Sequence, residues 1–371
     1  MPPLSLLIKP ASSACNQACR YCFYHDIAEK RETACYGMMS EETLEIIVRR
    51  ALSEATGECT FAFQGGEPTL VGLDFYRRLI ALEETYRRPD SRVINVLQTN
   101  GTLIDEEWAS FLAEHEFFVG ISLDGPSDLH DLNRIDAAGD GTHSRVCRTI
   151  RLLSRHGVRF NVLSVLTSRS ARHPDTIYRY FKRLGITHLQ LIPCLDPYGE
   201  ARGEESYSLT PRLYGEFLKK LFDLWYLDLT RGNALRIRYF DNLLAMAAGA
   251  EPESCGMSGA CRCQLVVESD GSVYPCDFYV LDSCRLGDVR DSSFSDLLRS
   301  DAARSFLLSS SAVDPECKGC RWYALCRGGC RRDRDLGDGR LGKNHYCDAY
   351  RAFFEYASDR LLGLAARISR S

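Results

Sequence analysis

Between residues 4 and 195 the chain alternates about six times between a short apolar, β-rich stretch and an amphipathic helical one, and that alternation leaves few folds open. The β-rich stretches are residues 4–9, 60–64, 94–99, 118–123, 160–167 and 189–193. The helical ones between them are 41–54, 73–86, 105–114, 144–155 and 174–184. Gly157 and Gly185 stand where a residue without Cβ can adopt the left-handed conformation that ends a helix. Repetition of strand, helix and strand implies parallel pairing with right-handed crossovers. The expected fold class is α/β, a partial (β/α)6 barrel of the TIM type.

In such a sheet or barrel the functional groups gather at the carboxyl ends of the strands, because helices cover the other surfaces and the loops converge there. The first stretch runs into Cys15-Asn16-Gln17-Ala18-Cys19-Arg20-Tyr21-Cys22. The second ends in Gln64-Gly65-Gly66-Glu67-Pro68, the third in Gln98-Thr99-Asn100-Gly101, the fourth in Ser122-Leu123-Asp124-Gly125 and the sixth in Pro193-Cys194-Leu195-Asp196. One polar, glycine-rich strand end is an ordinary turn. Recurrence at most of the strand ends marks one functional edge.

After residue 196 the periodicity changes. A polar stretch, 198–207, leads into helical segments at 211–230 and 241–248, which read as a bridge. From Cys255 onward the chain is short, loop-rich and rich in cysteine, with 265–268 and 273–274 flanking the hairpin signal Asp270-Gly271. A domain this small is expected to be held by metal. Residues 349–368 read as an amphipathic helix. The expected organisation is a barrel over 1–196, a helical bridge over 197–250, a cysteine-rich domain over 251–348 and a C-terminal helix over 349–371.

A formal net charge of −4 and the lack of a basic run give no reason to expect nucleic acid. The short apolar run 4–8 has no basic region before it, so neither a secretory signal nor a membrane span is expected, and the expected location is cytoplasmic. In a compartment that keeps thiols reduced, 17 cysteines point to metal rather than disulfides. Cys35, Cys59, Cys147 and Cys194 are scattered and read as small buried hydrophobes.

Cys15, Cys19 and Cys22 lie on one loop and are one ligand short of a closed tetrahedral site. A cluster held by three thiolates leaves one metal ion open to a small molecule. Cys19-Arg20-Tyr21-Cys22 alone would also suit a redox pair; Cys15 weighs against that. This spacing after a first strand, with the aromatic Tyr21 before the last cysteine, resembles the radical S-adenosylmethionine enzymes. The resemblance implies a 4Fe-4S cluster whose open iron is chelated by the methionine moiety of S-adenosylmethionine. It carries Tyr21 over as a cofactor contact and likens Gly65-Gly66-Glu67-Pro68 to the motif that meets the methionine amino group. Ser122 falls at the family's ribose contact and Leu195 at an adenine contact. In that chemistry the reduced cluster breaks a carbon–sulfur bond of the bound sulfonium, and the 5′-deoxyadenosyl radical takes hydrogen from an inert carbon.

The later cysteines follow their own order: Cys255, Cys276, Cys317, Cys320, Cys326, Cys330 and Cys347. This resembles the seven-cysteine SPASM domains, which hold two auxiliary 4Fe-4S clusters, three clusters in all with the first. Two fully ligated cubanes need eight thiolates, so Cys261 or Cys263 is the remaining one. The resemblance implies Cys255, Cys261, Cys276 and Cys330 for one cluster, and Cys317, Cys320, Cys326 and Cys347 for the other. Spacing alone also allows a pair of structural zinc sites. Cys284 falls outside the pattern and reads as a packing residue.

Among SPASM proteins the chain resembles the anaerobic sulfatase-maturating enzymes over nearly its whole length. The resemblance rests on stretches such as Leu7-Ile8-Lys9-Pro10, Phe63-Gln64-Gly65-Gly66-Glu67-Pro68-Thr69-Leu70, Arg238-Tyr239-Phe240-Asp241 and Tyr274-Pro275-Cys276-Asp277-Phe278-Tyr279. It implies oxidation of a cysteine or serine in an unfolded or nascent sulfatase polypeptide to Cα-formylglycine, by removal of a Cβ hydrogen. Asp277, directly after Cys276, is the expected base, so that proton and electron leave the substrate in the same direction. Tyr24, Gln64, Asn100 and Arg238 are expected peptide contacts. The expected electron source is a low-potential donor such as flavodoxin or ferredoxin. The alternatives are another peptide-modifying SPASM enzyme, for instance one forming thioethers, and a non-catalytic iron–sulfur electron carrier. The first would often carry an amino-terminal recognition domain, for which a strand starting at residue 4 leaves no room. The second needs no open three-cysteine site.

Overall fold

The computed structural model describes residues 3–337 and 339–368. Residues 1–2, 338 and 369–371, which the expected segments include, lie outside the described residues. In chain order the strands are β1 (Leu4–Ile8), β2 (Glu58–Phe63), β3 (Arg92–Thr99), β4 (Phe118–Ser122), β5 (Arg159–Leu166), β6 (His188–Pro193), β7 (Arg236–Ile237), β8 (Val266–Val267), β9 (Ser272–Tyr274) and β10 (Gly287–Asp288). By compactness the chain divides into one unit of Met1–Ser122, Asp131–Phe160 and Arg262–Phe306, and another of Leu123–His130, Asn161–Cys261 and Leu307–Ser371.

In the first unit β1 to β4 pair in parallel, with Leu6 opposite Phe61, Phe61 opposite Asn95 and Leu97 opposite Val119. Alternate residues of β1 and β2 are buried, Leu4, Leu6 and Ile8 on one and Cys59, Phe61 and Phe63 on the other. The helix Glu41–Glu54 starts where the Ser40 hydroxyl accepts from the Thr43 N–H at 3.1 Å, a cap worth about 1 kcal/mol. Leu44, Ile47, Val48, Ala51 and Leu52 recur on one face of it and are buried. Each large apolar side chain so placed contributes about 1.5–3 kcal/mol. On the helix Leu73–Tyr86, Tyr76 meets Phe63 and Trp108 edge-on, each at 5.2 Å.

The other edge of β1 is taken by β8, also parallel, with Leu7 opposite Val266. β9 returns antiparallel to β8 and β10 antiparallel to β9. The hairpin turns at Gly271, whose φ of +94° suits a residue without Cβ. Residues 262–306, read in sequence as the opening of a separate cysteine-rich domain, therefore group with the amino-terminal strands. The physical reason is edge protection, since an unpaired edge of a buried parallel sheet leaves backbone donors and acceptors unsatisfied.

In the second unit β5 and β6 are parallel, Val162 opposite Leu189, and β7 lies parallel beside β6. The helices Pro174–Arg183, Pro211–Thr230, Arg238–Ala247 and Cys347–Ile368 belong here. The ring of Phe222 meets those of Trp225, Phe240 and Phe353 at 5.6, 5.5 and 5.7 Å, forming an aromatic core. The helix Phe23–Glu29, which starts directly after Cys22, has no counterpart in the sequence reading, because seven residues are too few to show a period. No helix among the described residues is long and apolar enough to cross a membrane.

Candidate functional site

The carboxyl ends of β1, β2 and β3 assemble a site within the first unit. The loop after β1 carries Cys15, Cys19 and Cys22, none of them in a disulfide. It is held at both ends: the Glu67 N–H donates to Ala14 O at 2.8 Å, and the Ala18 N–H to Ile135 O at 2.8 Å. Gly66, with φ +53°, lets the two loops touch, because a Cβ there would lie 2.1 Å from Ala14 O. Asn100, just past β3, donates to Asn16 Oδ1 at 2.8 Å and reaches Cys15 Sγ at 3.9 Å. Desolvation pushes the Cys15 thiol up to about 11, with Glu67 and Cys22 adding to it, and a cation bound there would displace the proton. Three thiols on one braced loop are a donor set that suits iron.

Glu67 is fully buried, and its carboxylate is already taken up by its neighbours. Oε1 accepts from the hydroxyls of Thr69 and Thr99, each at 2.6 Å, and Oε2 from the Asn100 N–H at 2.8 Å. Burial raises its pKa against the pull of those donors. Its place in the site is to tie the end of β3 to the Gly65-Gly66 turn. Tyr21 is buried with the Arg134 guanidinium 5.5 Å from its ring. Ser122 ends β4 and accepts from Gln98 Nε2 at 3.3 Å.

Asp277 follows Cys276 after β9, and both lie in the first unit. Its Oδ1 is 2.5 Å from Lys9 Nζ and its Oδ2 accepts from Gln64 Nε2 at 2.7 Å. The Asp277 N–H donates to Gln264 Oε1 at 3.2 Å. Tyr24 is buried with Lys9 Nζ 3.6 Å from its ring centroid, and its hydroxyl donates to Glu268 Oε1. Arg31 Nη1 donates to the same Glu268 oxygen at 2.6 Å, and both side chains are fully buried. Sequence reasoning missed Lys9, Arg31, Gln264 and Glu268 as parts of this network. Lys9 alone left a signal, a charged residue directly after an apolar strand.

Of the remaining expected residues, Leu195 follows β6, and Arg238 opens the helix Arg238–Ala247, both in the second unit. Arg238 donates to Gln190 Oε1 at 2.9 Å and to Glu253 Oε1 at 2.9 Å. The cysteines of that unit fall into two electrostatic groups. Burial raises the Cys330 thiol, with Cys255 and Cys261 adding to it. Burial pushes the Cys326 thiol up to about 11, with Cys347, Cys317 and Cys320 adding to it. Cys261 thus shares a unit with Cys255 and Cys330, whereas Cys263 lies in the first unit.

A family model described as the radical SAM superfamily matches residues 10–181, and one described as an iron-sulfur cluster-binding domain, SPASM, matches residues 255–321. The cysteine-type anaerobic sulfatase-maturating enzyme of Clostridium perfringens (strain 13 / Type A) is 53% identical over 99% of this chain and 100% of its own length. The serine-type anaerobic sulfatase-maturating enzyme of Bacteroides thetaiotaomicron is 30% identical over 96% of this chain and 90% of its own. A solved structure described as native anSMEcpe with bound AdoMet and Cp18Cys peptide is 52% identical, superposes with a TM-score of 0.95, and covers 99% of this chain and 100% of its own.

Proposed function

From the premise that this chain belongs to the anaerobic sulfatase-maturating enzymes of the radical S-adenosylmethionine superfamily, we propose that it oxidises one cysteine of a sulfatase polypeptide to Cα-formylglycine. Its fold class is the family's, an α/β partial barrel followed by an iron–sulfur SPASM domain. It is a radical S-adenosylmethionine oxidoreductase that uses S-adenosylmethionine and 4Fe-4S clusters. Cysteine rather than serine is the proposed target, supported by 53% identity to a cysteine-type enzyme against 30% to a serine-type one.

The observation that carries the chemistry is the Asp277 carboxylate, next to Cys276 and held on both oxygens, by Lys9 at 2.5 Å and Gln64 at 2.7 Å. When bound, the cofactors supply removal of one hydrogen atom from the target Cβ and acceptance of one electron. Asp277 takes the thiol proton, which completes a two-electron oxidation to a thioaldehyde, and water then releases hydrogen sulfide and leaves the aldehyde. Cys15, Cys19 and Cys22 would hold the first cluster, and Tyr21, Gly65, Gly66, Glu67, Ser122 and Leu195 are the residues that the resemblance assigns to S-adenosylmethionine. The family resemblance implies Cys255, Cys261, Cys276 and Cys330 for one auxiliary cluster, and Cys317, Cys320, Cys326 and Cys347 for the other. Asn100 and Glu67 brace the cysteine loop, which places Glu67 beside the proposed cofactor site and Asn100 beside the proposed peptide site. Tyr24 and Arg238, both held by neighbouring side chains, are carried forward as peptide contacts. The partner is an unfolded sulfatase chain, and the reductant a low-potential carrier such as flavodoxin or ferredoxin.

The test is anaerobic reconstitution with iron, sulfide, reductant and S-adenosylmethionine, followed by peptides with Cys or Ser in a Cys/Ser-x-Pro-x-Arg context. A hydrazide-trapped aldehyde from the cysteine peptide, faster than from the serine peptide, is the expected result. Formation of 5′-deoxyadenosine with no aldehyde from either peptide would reject the sulfatase reading. Asp277→Asn is expected to keep its iron and to retain only a residual, measurable rate of aldehyde formation; full activity would remove Asp277 from the role of base.

A further inference from the structure

Among the described residues Lys9 is the one fully buried lysine, and its side chain runs to the Asp277 carboxylate. It follows β1 directly, and its Nζ stands 2.5 Å from Asp277 Oδ1 and 3.6 Å from the centre of the Tyr24 ring. Room for it is made by Gly65, which has φ +100°, and where a Cβ would meet Lys9 Cγ at 2.7 Å and Nζ at 2.8 Å. Tyr24 is itself anchored through its hydroxyl to Glu268, which Arg31 holds at 2.6 Å. On the opposite oxygen, Gln64 donates to Asp277 Oδ2 at 2.7 Å.

From this arrangement we infer that Lys9 is the positioning residue of Asp277, fixing the plane and direction of its carboxylate toward the substrate. A carboxylate gripped by one donor can swing about its Cβ–Cγ bond. One gripped on both oxygens by donors from two different strand ends cannot, and its remaining lone pairs point along fixed directions. The ammonium is a compact point charge that would itself wander, and the face of the Tyr24 ring confines it. A purely structural pair gives no account of this investment. A buried ion pair adds little to stability compared with apolar residues of the same size, yet here a glycine, an aromatic ring and a second ion pair are all arranged around one lysine.

The inference rests on Asp277 being the base, and the experiment separates the two claims. Lys9→Met, Asp277→Asn and the double variant are compared as reconstituted holoenzymes with the cysteine peptide, measuring iron content, 5′-deoxyadenosine, aldehyde, kcat and KM. Lys9→Met is expected to keep its iron and form 5′-deoxyadenosine within about twofold of the unsubstituted enzyme. Its aldehyde yield per 5′-deoxyadenosine is expected to fall about tenfold or more, through kcat with KM little changed. Because Lys9 acts through Asp277, adding Lys9→Met to Asp277→Asn is expected to cost nothing further. The double variant carries no uncompensated buried charge, so it gives this comparison even if Lys9→Met alone folds poorly. Coupled turnover by Lys9→Met, or losses that multiply in the double variant, would overturn the positioning role while leaving Asp277 as base. An active Asp277→Asn enzyme would overturn both.

Discussion

A methyl group on Gly66 would sit 2.1 Å from the backbone oxygen of Ala14, where the obstacle is main chain and no side chain can yield. The left-handed φ of +53° adds about 1–2 kcal/mol for any residue with a Cβ. Gly66→Ala is therefore expected to push the cysteine loop outward and to lose roughly a third of the iron, one cluster of three, together with 5′-deoxyadenosine formation. Unchanged iron and unchanged cleavage would show that the loop does not depend on this approach. Glu83 gives a pH-dependent case. It is buried, and desolvation pushes its carboxyl from 4.5 up to about 7, with Asn95 Nδ2 donating to Oε2 at 3.1 Å. Glu83 Oε1 and Asn95 Oδ1 are both buried without a partner. Protonated Glu83 brings a hydrogen-bond donor into this buried site; ionised Glu83 brings none. Between pH 4.5 and about 7 the folded state holds the proton more tightly than the unfolded chain, so stability falls as pH rises through that window and is level above it. At about 1.4 kcal/mol per unit the loss is about 3 kcal/mol. Glu83→Gln, which supplies a permanent donor, is expected to raise the unfolding free energy in urea at pH 8 and to change it little at pH 4.5. An equal effect at both pH values would contradict the titration of this group. At this scale the thiols and the paired glycines stand out by their identity, whereas Asp277 stands out only through the family resemblance. Lys9, Arg31 and Glu268 stayed hidden because isolated charges are usually solvated, and only the fold shows that these are buried.

Glycine in a helix interior costs about 1 kcal/mol relative to alanine, so Gly215 within the helix Pro211–Thr230 requires a packing cause. The cause is the helix Cys347–Ile368, whose Ala349 Cα would lie 3.2 Å from a Cβ on Gly215. Gly215→Ala trades the propensity gain against a tight contact and is expected to be close to neutral. Gly215→Leu overpacks and is expected to destabilise by about 1–3 kcal/mol. Because Ala349 is two residues from Cys347, the same variant is expected to lower iron content, read as a reduced absorbance near 400 nm and confirmed by iron assay. Full iron with a lowered unfolding free energy would mean that the helix start is held independently of this contact. Elements of this length were legible: the 3.6-residue period of the helices and the apolar runs of β1 to β6 placed them to within a few residues. Two-residue strands such as β7 and β10, and the seven-residue helix Phe23–Glu29, carry too few positions for a period, and tertiary pairing alone defines them.

Chain order is what the sequence could least convert into space. Residues 262–306 follow the bridge and open the run of cysteines, so contiguity assigned them to a late, metal-held domain. In the fold they close the free edge of β1, with the Leu7 N–H donating to Leu265 O at 3.2 Å and the Lys9 N–H to Val267 O at 2.8 Å. They also supply the carboxylates that meet two buried cations, Asp277 for Lys9 and Glu268 for Arg31. A chain ended at residue 261 would leave β1 as an open parallel edge and both cations without their partners. Each uncompensated charge costs several kcal/mol, comparable with the whole stability of a domain. Such a chain, residues 1–261, is expected to aggregate or to lack a cooperative thermal transition, even though it contains every strand and helix of the six-fold alternation and the complete first cysteine loop. Size-exclusion chromatography and circular dichroism under reducing, anaerobic conditions read this directly. A monomeric peak with a cooperative melt would show that the amino-terminal strands stand without the returning hairpin. Folding restored by co-expressing residues 262–371 as a second chain, but not by residues 307–371 alone, would instead identify edge closure and charge pairing as the missing elements.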